Sequence, residues 1–243
     1  MNGARYRRGN VLIGLVTAGF VLAMLLDVVS VGSNLLEIRL LERAAAGGVI
    51  TDDEAMFNDL RQGVLGLAHF GLNIFIVVMF CMWVYRANKN ARALGAQGME
   101  YTPGWTVGWF FIPIANLWKP YQAIHQVWRA SDPLADPRDP SAWEQSPNSA
   151  LVGGWWAAWV VTNVAANVAM RVTAPTLTSQ PTIEELLTSS WVSLGSDAVD
   201  IPAALLALLV SRGLYRRLEL KAAAVHEFAA ADAGDGVPPS PVF

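Results

Sequence analysis

Residues 101–129 read YTPGWTVGWFFIPIANLWKPYQAIHQVWR, and how this stretch meets a membrane decides the fold. Four tryptophans (Trp105, Trp109, Trp118, Trp128) and two tyrosines (Tyr101, Tyr121) punctuate an apolar run that Pro113 breaks and Lys119-Pro120 closes. Indole and phenol rings have an apolar body and a polar tip, which suits the boundary between hydrocarbon and headgroups. As a helix, residues 105–118 extend about 21 Å, short of a hydrocarbon core near 30 Å. Continuing to Trp128 gains the length only by placing Lys119, Gln122, His125 and Gln126 in lipid, where a lysine costs about 2.5–3.5 kcal/mol near the centre. Residues 105–130 therefore read as a re-entrant or interfacial segment. Within it Pro113 ends a short helix, Asn116 is placed to cap the next, and Pro120 suits a first helical turn. Leu117, Tyr121, Ile124 and Trp128, spaced by four, three and four, form one apolar face of an amphipathic helix on the cytoplasmic face.

Outward from this stretch, the composition is that of a membrane protein. The 243 residues are 53% hydrophobic and 15% charged, against roughly 45–50% and about 25% in soluble domains. Segments at about 11–32, 63–85, 151–172 and 191–214 each reach the roughly 20 residues a transmembrane helix needs. The first follows Arg5, Arg7 and Arg8, but its apolar region exceeds a signal-peptide core and the small residues Ala44, Ala45 and Ala46 lie well beyond it, so a retained span is expected. Between the first two spans, leucines at helical spacing predict an amphipathic helix ended by Gly47-Gly48, and Thr51-Asp52-Asp53-Glu54 reads as a capping box. Residues 131–149 and 173–190 read as loops. Residues 1–228 then form one membrane-embedded helical domain, and 229–243 have the composition of a disordered tail.

The charges choose between topologies. With four spans and a tryptophan-rich fingerprint (residues 101–129) that leaves by the side it entered, thirteen Lys and Arg face the cytoplasm and four (Arg39, Arg43, Arg61, Arg171) face outward. If the fingerprint crosses, the count becomes seven against ten. The positive-inside rule favours four spans with both termini cytoplasmic. The fold class is an all-α membrane protein with four transmembrane helices, the tryptophan-rich segment and the amphipathic helix.

The motifs YTPGW at 101–105, Gly108-Trp109, Pro113 and NLWKPYQ at 116–122, preceded by WVYRANKNARALGAQGM at 83–99, resemble the signature of a bacterial family of multi-span membrane proteins catalogued as a domain of unknown function, family 4328. The resemblance is carried by residues 83–131. It implies an integral protein of the bacterial cytoplasmic membrane and brings no activity or catalytic residues with it.

Two groups of residues are candidate sites. On the cytoplasmic side Arg86, Lys89, Arg92, Lys119 and Arg129 accompany Tyr101, Trp118, Tyr121 and Trp128, a combination suited to an anionic lipid headgroup and equally to plain anchoring. Toward the outer half, Asp27, His69, Asn73, Asn163, Asn167, Arg171, Asp197 and Asp200 lie at comparable depth within the spans. They read as a proton- or cation-responsive pocket around His69 or as a structural network pairing Arg171 with Asp197 or Asp200. No local metal-ligand spacing is present, so neither a metal site nor a cofactor is expected. There is no GxSxG and no glycine-rich phosphate loop. Catalytic residues are therefore expected to be none. Cys81 is the single cysteine, which excludes an intrachain disulfide. Nucleic acid is not an expected partner; membrane lipids are, with a protein partner or a homo-oligomer left open. The leading expectation is a non-enzymatic envelope scaffold, sensor or interaction protein. A small transporter or channel, and an enzyme acting on a lipid-linked substrate, are the alternatives.

Overall fold

The computed structural model describes residues 6–177 and 180–234, and among them the chain is all helix, with no strand. Six α-helices succeed one another: α1 Asn10–Ala45, α2 Asp52–Ala93, α3 Pro103–Gly108, α4 Lys119–Ala130, α5 Ala150–Thr173 and α6 Ile183–Gly234. Three of them, α1, α2 and α6, are long and apolar enough to cross a membrane. At 24 residues α5 is also long enough, about 36 Å. Its glycines, tryptophans and Asn163 and Asn167 dilute its apolar character, and it is not among the three.

The first span and the amphipathic helix expected after it are one continuous helix, α1, because nothing between them breaks the backbone ladder. Gly47 ends it at φ 82°, with the Gly48 amide donating to the Arg43 carbonyl at 2.9 Å, the arrangement in which a glycine closes a helix. The capping box forms as read: the Glu54 amide donates to Thr51 Oγ1 at 3.2 Å, and the Thr51 amide to Glu54 at 3.1 Å. An identical box opens α6, where Thr182 and Glu185 exchange the same bonds. Much of the loop expected at 173–190 is thus helical. At its other end α6 continues to Gly234, so the start of the expected disordered tail is helical, while residues 235–243 lie outside the described residues.

The fingerprint contains no helix of spanning length. Thr102 caps the six-residue α3, Pro103 occupies its first turn, and 3-10 turns follow at Trp109–Phe111 and Ala115–Leu117 before α4. Between the two turns Ile114 has φ 68° and ψ −55°, and the Ala115 amide donates to the Pro113 carbonyl at 2.8 Å. That is a γ-turn of the strained kind, centred on a β-branched residue. Asn116 lies in the second 3-10 turn, and Trp118 takes the N-cap position of α4 without a side-chain bond. Pro120 is in the first turn of α4 as expected.

The chain divides into two compact units. One comprises residues 1–13, 80–152 and 211–243, the other 14–79 and 153–210. In the first, α4 buries Pro120, Ala123, Ile124, Val127 and Ala130. This stripe shares Ile124 with the face expected from the sequence, while Leu117 is 52% exposed. The second buries polar side chains beside apolar ones such as Val16, Ile38 and Trp155, and exposes large apolar ones. Its buried side chains include Asp27, Ser30, Ser33, Asn34 and Asn58, whereas Leu67 is 74% and Phe70 67% exposed. Apolar outward and polar inward is the arrangement a hydrocarbon solvent selects.

Candidate functional site

In the first unit one asparagine organises the fingerprint. Asn88 is fully buried; its amide donates to the Tyr101 carbonyl at 2.9 Å and to Thr106 Oγ1 at 2.8 Å, while its oxygen accepts from Arg92 Nε at 2.9 Å. Arg92 also donates to the Met99 and Tyr101 carbonyls, both at 2.9 Å. Carbonyls freed by an irregular backbone are thereby satisfied without water. Tyr101 ties this knot to α4: its amide donates to Gln126 at 3.1 Å and its hydroxyl to Gln122 at 2.8 Å. Asn90 holds the segment before α1 in the same way, accepting from the Arg7 amide at 3.2 Å and donating to the Arg7 carbonyl at 3.0 Å.

Several candidate cations are engaged inside this scaffold. The Lys119 ammonium lies 5.5 Å from the Tyr101 ring centre and 5.7 Å from that of Trp109. Arg129 donates to the Ser146 carbonyl at 3.0 Å and lies over Trp143, and Arg217 lies over Trp128 at 5.1 Å while pairing with Asp132 at 3.3 Å. Tyr121 packs against His125, whose imidazole is held below its usual pKa by burial and by the Arg129 charge. Trp118 is 45% exposed.

Arg86 and Lys89, the latter with its ammonium 5.7 Å from the Tyr85 ring centre, lie at a cavity. With Arg7 they line this cavity of about 700 Å³ whose remaining wall is formed by Leu12, Cys81, Met82, Tyr85, Asn90, Gly104 and Val107. The volume lies within the range of pockets that hold small molecules. Three cationic side chains beside Leu12, Met82 and Val107 make the cavity amphiphilic. Arg86 follows Met82 by four residues on α2, and Lys89 follows Tyr85 by four, so helix periodicity sets a basic group one turn beyond an apolar or aromatic one.

The second unit holds a polar seam between α1 and α2. Ser30 shares a hydrogen bond of 2.8 Å with His69 Nε2, Arg61 donates to Ser33 Oγ at 2.8 Å, and Gln62 donates to Asn34 at 3.2 Å and to Glu37. The pairings run antiparallel, as the turn at Gly47-Gly48 requires. From α6, Asp197 joins this seam by accepting from Asn34 Nδ2 at 2.9 Å. Donor atoms of Asp27, His69 and Asp197 all lie within 4.8 Å of one another. Asp27 also feels the charges of Asp197 and Asp200.

Of the outer group, the structure thus collects Asp27, His69, Asp197 and Asp200. Asn163 and Asn167 instead donate to carbonyls of their own helix, those of Trp159 at 2.7 Å and Asn163 at 2.8 Å. Asn73 and Arg171 are exposed, and no ion pair joins Arg171 to Asp197 or Asp200 among the described residues. Arg7, Ser30, Ser33, Asn34, Glu37, Asn58, Arg61 and Gln62 are participants that sequence reasoning left out. The signal was present, because Asn34 with Glu37 and Asn58 with Arg61 and Gln62 recur at helical spacing, but a stretch read as an extramembrane loop hid it.

The family model described as "Domain of unknown function (DUF4328)" matches residues 46–216. No curated protein and no solved structure matches the chain.

Proposed function

The chain belongs to the domain-of-unknown-function family DUF4328, and from that premise we propose that it is a bacterial envelope protein that holds an anionic amphiphile, such as a phospholipid, in the cavity beside α2. The observation that carries the reading is the composition of that cavity: Arg7, Arg86 and Lys89 supply positive charge for a phosphate, and Leu12, Met82 and Val107 supply an apolar wall for an acyl chain. The reading is of a scaffold, sensor or interaction protein, with the lipid as an element of the surface it presents.

The topology that accompanies it has four spans, with α5 as the fourth, a re-entrant or interfacial fingerprint, and both termini in the cytoplasm. Thirteen of the 17 Lys and Arg fall within residues 1–13, 80–152 and 211–243, the unit that holds the fingerprint. That asymmetry supports a cytoplasmic position for this unit, where anionic lipid is available to basic side chains.

Native mass spectrometry of the full chain, released from detergent after incubation with phosphatidylglycerol or phosphatidylcholine, tests the reading. Retention of phosphatidylglycerol over phosphatidylcholine is expected. It should fall at least about tenfold in Arg86→Ala plus Lys89→Ala, each lost contact contributing on the order of 1 kcal/mol because Arg86 is half-buried and Lys89 exposed. It should persist in Arg212→Ala plus Arg216→Ala, which removes equal charge from exposed positions. Equal loss in both double variants, or no headgroup preference, refutes a defined site. Competition by inorganic phosphate alone separates a phosphate site from one that needs the acyl chain.

A further inference from the structure

Outside the amphiphile cavity, the second unit contains a buried carboxyl group with no hydrogen-bond donor. The Asp27 side chain is 6% exposed; its one ion-pair contact is His69 Nδ1 at 3.8 Å, beyond hydrogen-bond reach, and among the described residues no donor bonds it. No Lys or Arg forms an ion pair with Asp27, Asp197 or Asp200 among the described residues. A carboxylate taken out of water with neither a donor nor a counter-charge is costly, and a cation offsets that cost directly.

We propose that Asp27, His69 and Asp197 bind a divalent first-row transition ion, with Zn²⁺ as the ion that suits the donors best and Mn²⁺ as a weaker-binding spectroscopic stand-in. The ligand atoms come from α1, α2 and α6, and all lie within 4.8 Å of one another. A shell with bonds of about 2.0–2.2 Å separates adjacent donors by roughly 3–3.6 Å, so small side-chain movements close the site. One imidazole with carboxylates selects borderline ions over the all-oxygen sites of Mg²⁺ and Ca²⁺.

Groups outside the donor set hold two of the ligands in place. Ser30 Oγ lies 2.8 Å from His69 Nε2. With Nε2–H donating to Ser30, the Nδ1 lone pair is left for the metal, which is how ligating histidines are commonly fixed. Asn34 Nδ2 donates to Asp197 Oδ2 at 2.9 Å, leaving Oδ1 for the metal, and Gln62 orients Asn34 in turn. Asp200, one turn beyond Asp197 on α6, adds negative charge to the site. The bound ion ties α1, α2 and α6 together. Nothing in the sequence spacing announces the site, since each helix contributes a single ligand.

The test uses the full chain in detergent or nanodiscs, stripped with chelator and titrated separately with Zn²⁺, Mn²⁺, Mg²⁺ and Ca²⁺. About one equivalent of Zn²⁺ is expected to survive gel filtration, and Mn²⁺ to bind the same site more weakly. The Mn²⁺ form should show pulsed-EPR modulation from one imidazole nitrogen. His69→Gln should abolish that modulation, and Asp27→Asn should weaken binding by more than the roughly 10–100-fold that loss of an outer partner costs. His125→Gln and His226→Gln, which remove the other two histidines, should change neither. The EPR measurement on the unaltered chain needs no variant to fold. Absence of the nitrogen signal, binding of Mg²⁺ or Ca²⁺ in preference, or equal retention by folded Asp27→Asn overturns the proposal.

Discussion

Replacing Asn88 with alanine should unfold the fingerprint more readily than any single truncation of an exposed charge in the same unit. The side chain makes three hydrogen bonds of 2.8–2.9 Å in a fully buried position. Two are donations to neutral acceptors, each contributing on the order of 1 kcal/mol, and the third accepts from a guanidinium, at roughly 1.5–3 kcal/mol. The Tyr101 carbonyl keeps its bond from Arg92, and the Thr106 hydroxyl still donates to the Thr102 carbonyl at 2.9 Å. Arg92 Nε is left without its acceptor. The expected loss is about 3–5 kcal/mol. Unfolding in mixed micelles with increasing dodecyl sulfate, followed by tryptophan fluorescence, measures it. Asn88→Asp should also destabilise, because a carboxylate cannot donate to the Tyr101 carbonyl. Asn163→Ala is the control, since that amide donates only to the Trp159 carbonyl of its own helix; it should cost under about 1 kcal/mol. If Asn88→Ala and the control lie within about 0.5 kcal/mol of each other, the reasoning that this one asparagine holds the irregular segment is wrong.

A Cβ on Gly213 would lie 2.9 Å from the Trp128 ring, so Gly213→Ala should displace that ring from beneath Arg217 and cost about 1–3 kcal/mol in the same assay, with a shift in tryptophan emission. Ile114→Gly should stabilise by about 1 kcal/mol, because Ile114 is 72% exposed and contributes little packing while its positive φ is strained; a lower midpoint would show that the turn is not strained in solution. In a Cys81→Ser background, a cysteine at Arg138 should react with a membrane-impermeant maleimide only after cells are opened, and labelling of intact cells would invert the proposed topology.

The apolar segments, the helix end at Gly47-Gly48, the capping box at Thr51 and the family signature were all legible in the residues themselves. Each depends on local chemistry: hydropathy over about 20 residues, a positive φ, or a side chain reaching three residues along. The capping box at Thr182 had the same signal and was overlooked within a stretch read as loop. The inability of the fingerprint to form a spanning helix was also local, because Pro113 and Pro120 lack the amide that a helix needs.

Tertiary structure alone decided which polar residues meet. Lys119, Arg129 and Arg92 look equivalent to Arg86 and Lys89 as letters, yet only the last two line the cavity, Lys89 lying over the ring of Tyr85, itself a lining residue, while the first three meet rings and carbonyls elsewhere in the scaffold. Asp27, His69 and Asp197 are separated by 42 and 128 positions, and no periodicity links residues on different helices. Their meeting depends on the rotation and register of α1, α2 and α6, which no one helix's sequence sets. A sequence states what each helix offers to its surroundings; the packing of one helix on another determines which of those offers are taken up.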